Sequence, residues 1–568
     1  MNKILATIGA LLFAYTANAQ SASVMAIHNS ADPALDTVDM YLLDNGTATK
    51  LKDDFAFRTA TGFINAPAER PIRIVFAGAN STSIADSVIG FGYNLPNNGK
   101  FILIAQGHFQ SGFNPQKTFE LKVIANAENT ASGTNNKLLV YHGSTDAPAV
   151  DISAFTRQTS AEPAILADNV SYGAATSYLS VSNGDYFINV SLPGASEALF
   201  TYSAPLKTLG AAGEPIVAFA SGFLSPSSNL NGKAFGLFAV LKDGTVIELP
   251  LVTTAKLQIV HNSPDALAST VDVYSDVSGS IQLLKDNFAY RTATPYLTVP
   301  ANKAFNVWIA PGNSTSYTQS VYDLEVSLYG GLEVVAIAAG VLDTSKHENG
   351  SNAAFDLFGL PGTASALEKD KVTLSIFHGS TDAPAVDVRV GGSSGALLAT
   401  GIEFGDNTDY ITTNSSDIVV SVLPAGSSTV VASYNAPLSA FKDSGITVLA
   451  SGFLSPNLPS GKDNGAAFGL FVVTASGRVI QLPLNTTSVT DILNSDQISV
   501  YPNPVQNELK LKVNETITSI EIMNMNGMVV KAEMGNNDLV SVGELNSGVY
   551  ILNVTTEAGV YTLKFIKE

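Results

Sequence analysis

The feature that most constrains the fold is a five-residue segment, His-(Asn or Gly)-Ser-x-Asp, that occurs four times in the chain. Successive copies stand 114, 119 and 117 residues apart, since they begin at His28, His142, His261 and His378. A period of this length indicates a repeating domain, because solenoid units are only about 20–50 residues long. Each copy is also long enough to bury a core of its own.

Two forms of the repeat alternate along the chain. The repeated histidine is followed by a second aspartate 11 positions later in the first and third copies, and 9 positions later in the second and fourth. These second aspartates are Asp39, Asp151, Asp272 and Asp387. The array is therefore A-B-A-B, a duplicated two-domain unit. We name the predicted domains A1 (20–134), B1 (135–252), A2 (253–369) and B2 (370–484), followed by a linker (485–497) and a C-terminal domain (498–568).

The local pattern inside each repeat predicts strands. Leu138, Val140 and His142 alternate with other residues, which places them on one face of an extended segment. Short runs of Val, Ile, Phe and Tyr are separated by Gly, Pro, Asn and Ser at spacings of about ten residues, which is typical of all-β domains. We expect an all-β fold of tandem Ig-like β-sandwich domains, four repeats plus a small C-terminal β-sandwich. Five such globules laid end to end would form a spacer of about 150 Å.

Charge and composition exclude several classes of partner and chemistry. The formal net charge is -19 and the pI is about 4.7, so neither nucleic acid nor an anionic membrane surface is an expected partner. The chain has no cysteine. That absence excludes disulfides, thiol nucleophiles and zinc–thiolate sites.

Residues 1–19 have the pattern of a secretory signal peptide. Lys3 is followed by an apolar run from Ile4 to Tyr15 and by the small-residue site Ala17-Asn18-Ala19. The apolar run is shorter than the roughly 20 residues that span a bilayer. We expect cleavage after Ala19, export of the chain, and no integral membrane segment after cleavage.

The C-terminal domain carries motifs that are specific in order and position. They are Tyr501-Pro502-Asn503-Pro504, an Asn526-Gly527 turn, Ser547-Gly548-Val549-Tyr550 and the closing Lys564-Phe565-Ile566-Lys567. In these features the domain closely resembles the type A C-terminal sorting domain of the type IX secretion system of Bacteroidota. The resemblance implies that the type IX secretion machinery carries the protein from the periplasm across the outer membrane. Removal of the domain and release, or attachment to surface lipopolysaccharide, would follow. The implied sorting motif is Tyr501, Pro502, Asn503, Pro504, Gly527, Gly548, Tyr550, Lys564 and Lys567.

The four repeats resemble the domain-of-unknown-function 4397 family, which consists of tandem domains in secreted bacterial proteins. The family signature runs roughly H-x-S-P-D-A-P-x-V-D-V-Y. Thr145–Asp151 and Thr381–Asp387 match it well, whereas the odd copies carry a two-residue insertion. This resemblance implies no biochemical activity.

The repeated His, Ser and Asp permit three interpretations. A catalytic triad needs the imidazole between nucleophile and carboxylate, but Ser263 would follow His261 along one side of an extended strand. A metal site could combine His378, Asp382 and Asp387. We favour a structural interpretation, in which the histidine is buried and the aspartate caps backbone N–H groups of the turn. The recurring turn residues are His28, Asp32, His142, Asp146, His261, Asp265, His378 and Asp382.

We therefore expect no catalytic, metal-binding or cofactor-binding residues and no cofactor. The expected function is non-enzymatic: a secreted or surface-attached protein whose tandem sandwiches serve adhesion or bind an unknown surface glycan or protein ligand. A secreted hydrolase or glycan-processing enzyme stays open, because paired carboxylates are invisible in a sequence. The single tryptophan, Trp308, lies in an alternating apolar run and is expected in the core. His108 and His347 fall in loop-like stretches without an evident catalytic neighbour.

Overall fold

The computed structural model describes residues 20–568 except for several short segments. These are 131–132, 158–162, 348, 457, 459–461, 486–497, 514, 525–527, 536 and 557–559. The predicted signal peptide, nearly all of the predicted linker and the Asn526-Gly527 turn lie outside the described residues. Within the described residues, no helix has the length and apolar character needed to cross a membrane.

Strands dominate the first A–B pair. The strands within A1 are β1 (Ser21–His28), β2 (Thr37–Asp44), β3 (Thr47–Ala56), β4 (Thr59–Ala60), β5 (Ile64–Pro67), β6 (Pro71–Gly78), β7 (Ser87–Asn94), β8 (Lys100–Gln106) and β9 (Glu120–Ala125). Those within B1 are β10 (Asn136–His142), β11 (Val150–Phe155), β12 (Ala164–Val170), β13 (Leu179–Val181), β14 (Asp185–Ser191), β15 (Ala198–Pro205), β16 (Pro215–Ser221), β17 (Gly236–Leu241) and β18 (Val246–Glu248).

The second pair and the C-terminal domain follow the same plan. The strands within A2 are β19 (Thr254–His261), β20 (Thr270–Ser275), β21 (Gln282–Ala289), β22 (Thr292–Ala293), β23 (Leu297–Pro300), β24 (Phe305–Pro311), β25 (Tyr322–Val326), β26 (Glu333–Ala339) and β27 (Asp356–Pro361). Those within B2 are β28 (Lys371–His378), β29 (Val386–Val390), β30 (Leu397–Ile402), β31 (Ile411–Asn414), β32 (Ile418–Pro424), β33 (Ala432–Ala436), β34 (Gly445–Ser451), β35 (Gly469–Thr474) and β36 (Val479–Gln481). The C-terminal strands are β37 (Ile498–Tyr501), β38 (Glu508–Val513), β39 (Ile517–Asn524), β40 (Val529–Met534), β41 (Leu539–Ser541), β42 (Gly548–Thr556) and β43 (Val560–Lys567).

Helical structure in the described residues is confined to short 3-10 turns. They are Pro33–Leu35, Ile84–Asp86, Pro226–Ser228, Ala266–Ala268, Tyr317–Gln319, Thr344–Lys346, Gly350–Ala353 and Leu438–Phe441. In the A copies such a turn begins directly after the repeated aspartate, because Asp32 and Asp265 each accept a backbone N–H two residues ahead.

Each repeat folds into two sheets that enclose one hydrophobic core. In A1 the first sheet has the order β4–β1–β8–β9, with β5 also paired to β1, and the second sheet has the order β3–β2–β6–β7. The same arrangement recurs in B1 (β13–β10–β16–β17–β18 and β12–β11–β14–β15), A2 (β22–β19–β26–β27 with β23 on β19, and β21–β20–β24–β25) and B2 (β31–β28–β34–β35–β36 and β30–β29–β32–β33). The all-β class and the sandwich architecture expected from the sequence are confirmed.

The opening strand of each repeat pairs in parallel with a strand far along the chain. Ser23 lies opposite Lys100 in A1, and Thr373 lies opposite Gly445 in B2. A parallel partner requires a long crossover connection. Here that connection contains the whole second sheet, so pairing of the opening strand closes the sandwich.

The first sheets of A1 and B1 pack against each other, so their opening strands are buried on both faces. Leu138 and Val140 point into the B1 core, whereas Leu139 and Tyr141 lie in a second cluster shared with A1. This A–B joint consists of Met25, Ile27, Ile102, Ile104, Ala127, Leu139, Tyr141, Val217, Phe219, Phe238 and Val240. The A2–B2 joint consists of Val260, Val335, Ile337, Ala339, Leu360, Phe377, Leu449, Phe471 and Val473. Within each pair, therefore, the two sandwiches stack face to face, a relative orientation that the sequence did not predict.

The variable residue of the repeated segment lies at this joint. It is asparagine in the A copies and glycine in the B copies. Asn29 Nδ2 donates to the carbonyl oxygens of Gly143 at 3.3 Å and Ala220 at 3.2 Å. A Cβ atom on Gly143 would stand only 1.9 Å from that nitrogen, and one on Gly379 would stand 2.1 Å from Nδ2 of Asn262. The alternation of the repeats thus follows from a close fit between unlike partners.

An arginine from each A repeat crosses the joint. Arg58 donates to the Oγ and the carbonyl oxygen of Ser221, both at 3.1 Å, and its guanidinium lies 4.3 Å from the ring centre of Phe238. Arg291 makes the same contacts with Ser451 and Phe471. The planar guanidinium satisfies carbonyls that would otherwise lack donors, and it covers an aromatic face at the same time.

The two A–B pairs are joined to each other by a different contact, which lies between B1 and A2. The ring of Phe155 packs on Phe187 at 5.2 Å and on Tyr329 at 6.0 Å. The hydroxyl of Tyr329 donates to the carbonyl oxygen of Ser196 at 2.8 Å. The second sheet of B1 therefore lies against a loop of A2.

The C-terminal domain is a smaller sandwich of its own. Its sheets have the orders β37–β38–β41 and β40–β39–β42–β43. The core between them consists of Ile498, Val505, Leu509, Leu511, Ile517, Ile520, Ile522, Val540, Val542, Tyr550, Leu552, Val554, Tyr561 and Phe565.

We expect Gly143→Ala to weaken the A1–B1 joint. The new Cβ would meet Asn29 Nδ2 at 1.9 Å and the carbonyl oxygen of Ala220 at 2.7 Å, so the free energy of unfolding should fall by about 1–3 kcal/mol. Urea unfolding of the mature chain measures the effect. Gly78→Ala is the control, because a Cβ there meets no atom within 4 Å. An Asn29→Ala background should reduce the penalty of Gly143→Ala, and equal penalties in both backgrounds would contradict the assigned fit.

Candidate functional site

Each repeated histidine is buried and donates a hydrogen bond to a backbone carbonyl. Because a carbonyl oxygen can only accept, the proton lies on Nε2. The Nε2 distances are 2.7 Å from His28 to Leu35, 2.9 Å from His142 to Pro148 and 2.6 Å from His261 to Ala268, and His378 bonds the carbonyl of Pro384. The other ring nitrogen, Nδ1, accepts a backbone N–H from Ser30 and Ser263 in the A copies. In the B copies, Nδ1 of His142 and of His378 has no hydrogen-bond partner.

Burial keeps these imidazoles neutral. Desolvation lowers the pKa of His28 and of His261 to about 4, against the smaller opposing effect of the carbonyl bond. Desolvation also lowers the pKa of His142 and of His378. At neutral pH each side chain therefore combines one donor with one acceptor.

The serine and aspartate of the segment do not form a catalytic relay with the histidine. Ser30 Oγ donates to the carbonyl oxygen of Gly107 at 2.6 Å. Asp32 accepts backbone N–H groups from Ala34 in its own turn and from Phe109 and Gln110 in a distant loop. The contacts therefore tie loops together and leave no nucleophile beside a base.

The aspartates of the B copies cap a different loop from the one expected. Asp146 accepts the backbone N–H groups of Leu224 and Ser225, each at 2.9 Å. Asp382 accepts those of Leu454 and Ser455, each at 2.7 Å. In B1 and B2, these contacts hold the loop that follows the central strand of the first sheet, as Asp32 and Asp265 do in the A copies.

The three residues considered from the sequence as a metal site bind different parts of the backbone in the fold. Asp387 accepts the backbone N–H groups of Gly401 at 2.8 Å and Gly426 at 3.2 Å, whereas His378 and Asp382 bond other loops. Across the described part of the chain, no three His, Asp or Glu side chains gather as a metal site. These residues therefore act locally on the backbone.

One carboxylate pair is relevant to the hydrolase alternative. A hydrogen bond to the carboxylate of Asp151 and the charge of that carboxylate raise the pKa of Asp168, while backbone N–H groups of Asn169 and Gly194 lower the pKa of Asp151. Glycosidase carboxylates stand about 5 Å or more apart so that the substrate bond fits between them. Two carboxyl groups that bond each other directly leave no such space, so this pair does not provide glycosidase geometry.

Trp308 does not lie in the core, contrary to the expectation from the sequence. Its neighbours Val307 and Ile309 point into the core of A2, whereas Trp308 is half-buried and packs on Tyr317 at 5.1 Å. The residues of this run do alternate between the two faces of the sheet, but the indole lies on the outward face. The expectation was based on the size and hydrophobicity of the side chain, and these properties do not decide which face of a strand a residue occupies.

His108 and His347, which showed no role in the sequence, bridge the A and B repeats. His108 stacks on Phe113 at 3.9 Å and lies 5.6 Å from Phe223 of B1. His347 stacks on Phe453 of B2 at 5.3 Å. Its Nδ1–H donates to Oδ1 of Asp463 at 2.8 Å, with both side chains buried. No spacing pattern reveals these contacts, because the partners lie more than a hundred residues apart.

The largest cavity described lies between the two sheets of B2. Its volume is about 770 Å³, compared with about 60 Å³ in B1, about 150 Å³ in A2 and about 20 Å³ in A1. Aliphatic side chains form most of its wall, including Leu374, Ile376, Val388, Val420 and Val472. Its volume falls in the range of about 300–1,000 Å³ that is usual for small-molecule sites.

One register position contributes to the difference between the repeats. The position is filled by Ile89, Phe200 and Tyr322 in A1, B1 and A2, but by Ala432 in B2. In B1, Phe200 stacks on Phe235 at 5.7 Å, and in A2, Tyr322 packs on Phe355 at 5.4 Å. The equivalent phenylalanine of B2, Phe468, lines the cavity and faces an alanine at this position. The small side chain at this position therefore enlarges the space in B2.

The cavity reaches the surface where loops of B2 and A2 meet. Val431 and Leu454 belong to its wall and are 58% and 47% exposed. Asn349 of A2 also lines it. The loop on this side is longer than in B1, since Pro456 and Phe468 are 12 positions apart whereas Pro226 and Phe235 are 9 apart. In B1 this loop is closed by Asn229, whose Nδ2 donates to Asp146 at 3.0 Å.

Comparison with protein families identifies both parts of the chain. Residues 22–153 and 255–389 match the family described as a domain of unknown function, DUF4397, and each match runs into the first strands of the following B repeat. Residues 499–568 match the secretion system C-terminal sorting domain. The chain carries DUF4397 domains and a type IX sorting domain. Both resemblances inferred from the sequence are confirmed, and the sorting domain marks the protein for export, with surface attachment or release.

Solved structures add only distant likenesses to the DUF4397 repeats. The Bacillus anthracis TIE protein is 9% identical, with 73% of this chain and 68% of that chain covered and a TM-score of 0.14. Bacteroides ovatus SGBP-B, from a mixed-linkage glucan utilization locus, is 12% identical, with 56% of this chain and 66% of that chain covered and a TM-score of 0.10. PorZ, a surface component of the type-IX secretion system of Porphyromonas gingivalis, is 12% identical, with 93% of this chain and 73% of that chain covered and a TM-score of 0.13. No curated protein matches the chain.

The sorting domain brings its two end motifs together. Asn503 Oδ1 accepts the backbone N–H of Ile566 at 2.8 Å, and its Nδ2 donates to the carbonyl oxygen of Lys564 at 3.1 Å. Tyr550 stacks on Phe565 at 5.6 Å, and Gly548 lies opposite Lys567 in the sheet. The other motif positions, Tyr501, Pro502 and Pro504, lie on the same segment as Asn503, whereas Gly527 is outside the described residues. We propose that the clasped segments form the surface read by the secretion machinery.

Because of the buried histidines, we expect the free energy of unfolding to decrease as the pH is lowered from about 6.5 to about 4. A group whose folded pKa is depressed stabilises the folded state above its unfolded pKa, and that contribution is lost as pH falls toward the folded value of about 4. Within this window, His28 and His261 should each lower the free energy of unfolding by about 1.4 kcal/mol for every unit by which the pH falls. Thermal unfolding at pH 7 and pH 5 measures it, and His261→Gln should reduce the difference. Equal unfolding temperatures at the two pH values would contradict neutral burial.

We expect deletion of residues 498–568 to stop delivery to the surface without unfolding the repeats. The four repeats have separate cores, whereas the deleted part matches the sorting domain. Cell fractionation should place the shortened chain in the periplasm, and protease resistance should show that it is folded. Normal surface display of the shortened chain would refute this prediction.

Proposed function

We propose that this protein is an exported, non-enzymatic binding protein whose fourth repeat holds a small apolar ligand. The observation that carries the proposal is the B2 cavity of about 770 Å³. The cavities described in A1, B1 and A2 have volumes of about 20, 60 and 150 Å³, so binding is assigned to B2. In this proposal the remaining DUF4397 sandwiches support and present B2 outside the cell.

The energetic cost of an empty apolar cavity supports a bound occupant. Unfilled apolar space inside a core destabilises a protein because the lining side chains lose packing contacts, and the B2 cavity is lined mostly by aliphatic side chains. Apolar cavities stay dry and admit apolar guests. A ligand in B2 would offset much of this cost.

The position of the opening supports exchange of the ligand with the surroundings. Val431 and Leu454 are exposed while their neighbours Val422 and Leu470 are buried in the wall. A guest could therefore enter at the loop end without separation of the sheets. The hydrogen-bonded ladder between β32 and β33 and that between β34 and β35 would stay intact.

We expect Ala432→Phe to weaken binding of an uncharged apolar fluorescent probe such as N-phenyl-1-naphthylamine. The introduced ring restores the residue type that fills the equivalent place in B1, where Phe200 packs on Phe235. Titration of the mature protein with the probe measures affinity, and Ala432→Leu provides a smaller filling variant. Both variants should also raise the unfolding temperature in the absence of ligand, because they reduce an apolar void.

The matched control is Ala396→Phe, which adds the same ring at an exposed position of the hairpin between β29 and β30. It should bind the probe as the unaltered protein does. Probe binding that survives in Ala432→Phe with an unchanged affinity would overturn the proposal. Turnover of a glycan or ester substrate that disappears in Ala432→Phe would favour the hydrolase alternative instead.

A further inference from the structure

Two residues that line the B2 cavity each carry a buried acceptor for which the described part of the chain supplies no donor. Asp463 is 1% exposed and lines the cavity, and its Oδ2 has no hydrogen-bond partner although its Oδ1 accepts from His347. His378 also lines the cavity. Its Nε2 is committed to the carbonyl of Pro384, so its Nδ1 is an acceptor, and that atom has no partner. Buried polar atoms without partners are rare and costly in folded proteins.

The third repeat holds one of these acceptors in place. The ring of His347 stacks on Phe453, and its Nδ1–H fixes one oxygen of Asp463, so the second oxygen has a defined position. The backbone N–H of Asp463 donates to the carbonyl oxygen of Lys346 at 3.1 Å, which also belongs to A2. The polar end of the site is therefore built by the A2–B2 pair, although the apolar wall belongs to B2.

We propose that the ligand is an amphiphile with an apolar body and a hydrogen-bond-donating head, an alcohol or a primary amine, whose head bonds Asp463. This inference rests on the proposed function of the same cavity. A hydroxyl supplies one donor and an ammonium supplies three, whereas a carboxylate supplies none. A second carboxylate, Asp382, also lines the cavity, so an anionic head would meet two negative charges in a poorly solvated space.

Three ligands with the same alkyl chain and different heads test this assignment. Decanol, decylamine and decanoate are titrated below their critical micelle concentrations against the mature protein carrying the fluorescent probe, at pH 7. Displacement gives the dissociation constant of each compound. Decanol and decylamine should bind at least about tenfold more tightly than decanoate, because a like-charge contact and a missing donor both oppose the acid.

Asp463→Asn tests the role of the carboxylate directly. The amide keeps the size of the side chain but removes its charge and adds a donor, so the preference for decylamine over decanoate should shrink by about tenfold or more. Asp323→Asn is the control, since Asp323 is an exposed carboxylate on β25 of A2, and it should leave the preference unchanged.

The outcomes separate this inference from the proposed function. Decanoate that binds the unaltered protein as tightly as decanol and decylamine would overturn the inference, even though binding itself would stand. A preference that persists in Asp463→Asn would overturn the role of Asp463. Failure of all three compounds to displace the probe, together with an unaffected Ala432→Phe variant, would remove the proposed function and the inference with it. The comparison of ligands on the unaltered protein does not depend on whether the variant folds.

Discussion

Face-to-face packing of two first sheets is the constraint on which the rest of the structure depends. It buries the outer side of the opening strands, so Leu139 and Tyr141 are as apolar as the core residues Leu138 and Val140. It brings loops of the A repeat over the end of the B repeat, where His347 meets Phe453 and Asp463. A carboxylate of the B2 cavity, Asp463, is therefore positioned by a neighbouring domain, and an isolated B2 domain would lack that contact.

The cavity shows how a repeated fold can gain internal space by loss of packing. The same position holds a large side chain in three repeats and Ala432 in the fourth. The frame survives this loss because the first sheet of B2 is buried on its other side by A2. Stability from the joint offsets the weakness inside, in line with the general observation that functional sites violate the packing rules obeyed elsewhere.

The repeats, the all-β class and the inward position of the histidines could be predicted because periodicity in sequence reflects burial directly. The stacking of sandwiches was missed, although the unbroken apolar run from Leu138 to Tyr141 is the pattern of a strand covered on both faces. Alignment of the two B copies would also have placed Ala432 opposite Phe200. The bond between His347 and Asp463 has no local signal, because it depends on how two domains meet. The domain boundaries stay predictions.

The fit between Asn29 and Gly143 limits how such an array can grow. Two A copies side by side would set one asparagine amide against another, and two B copies would leave a gap without a donor for the opposing carbonyls. Gain or loss of a single repeat would therefore produce an unmatched surface. Only the addition or removal of whole A–B pairs preserves this match along the array.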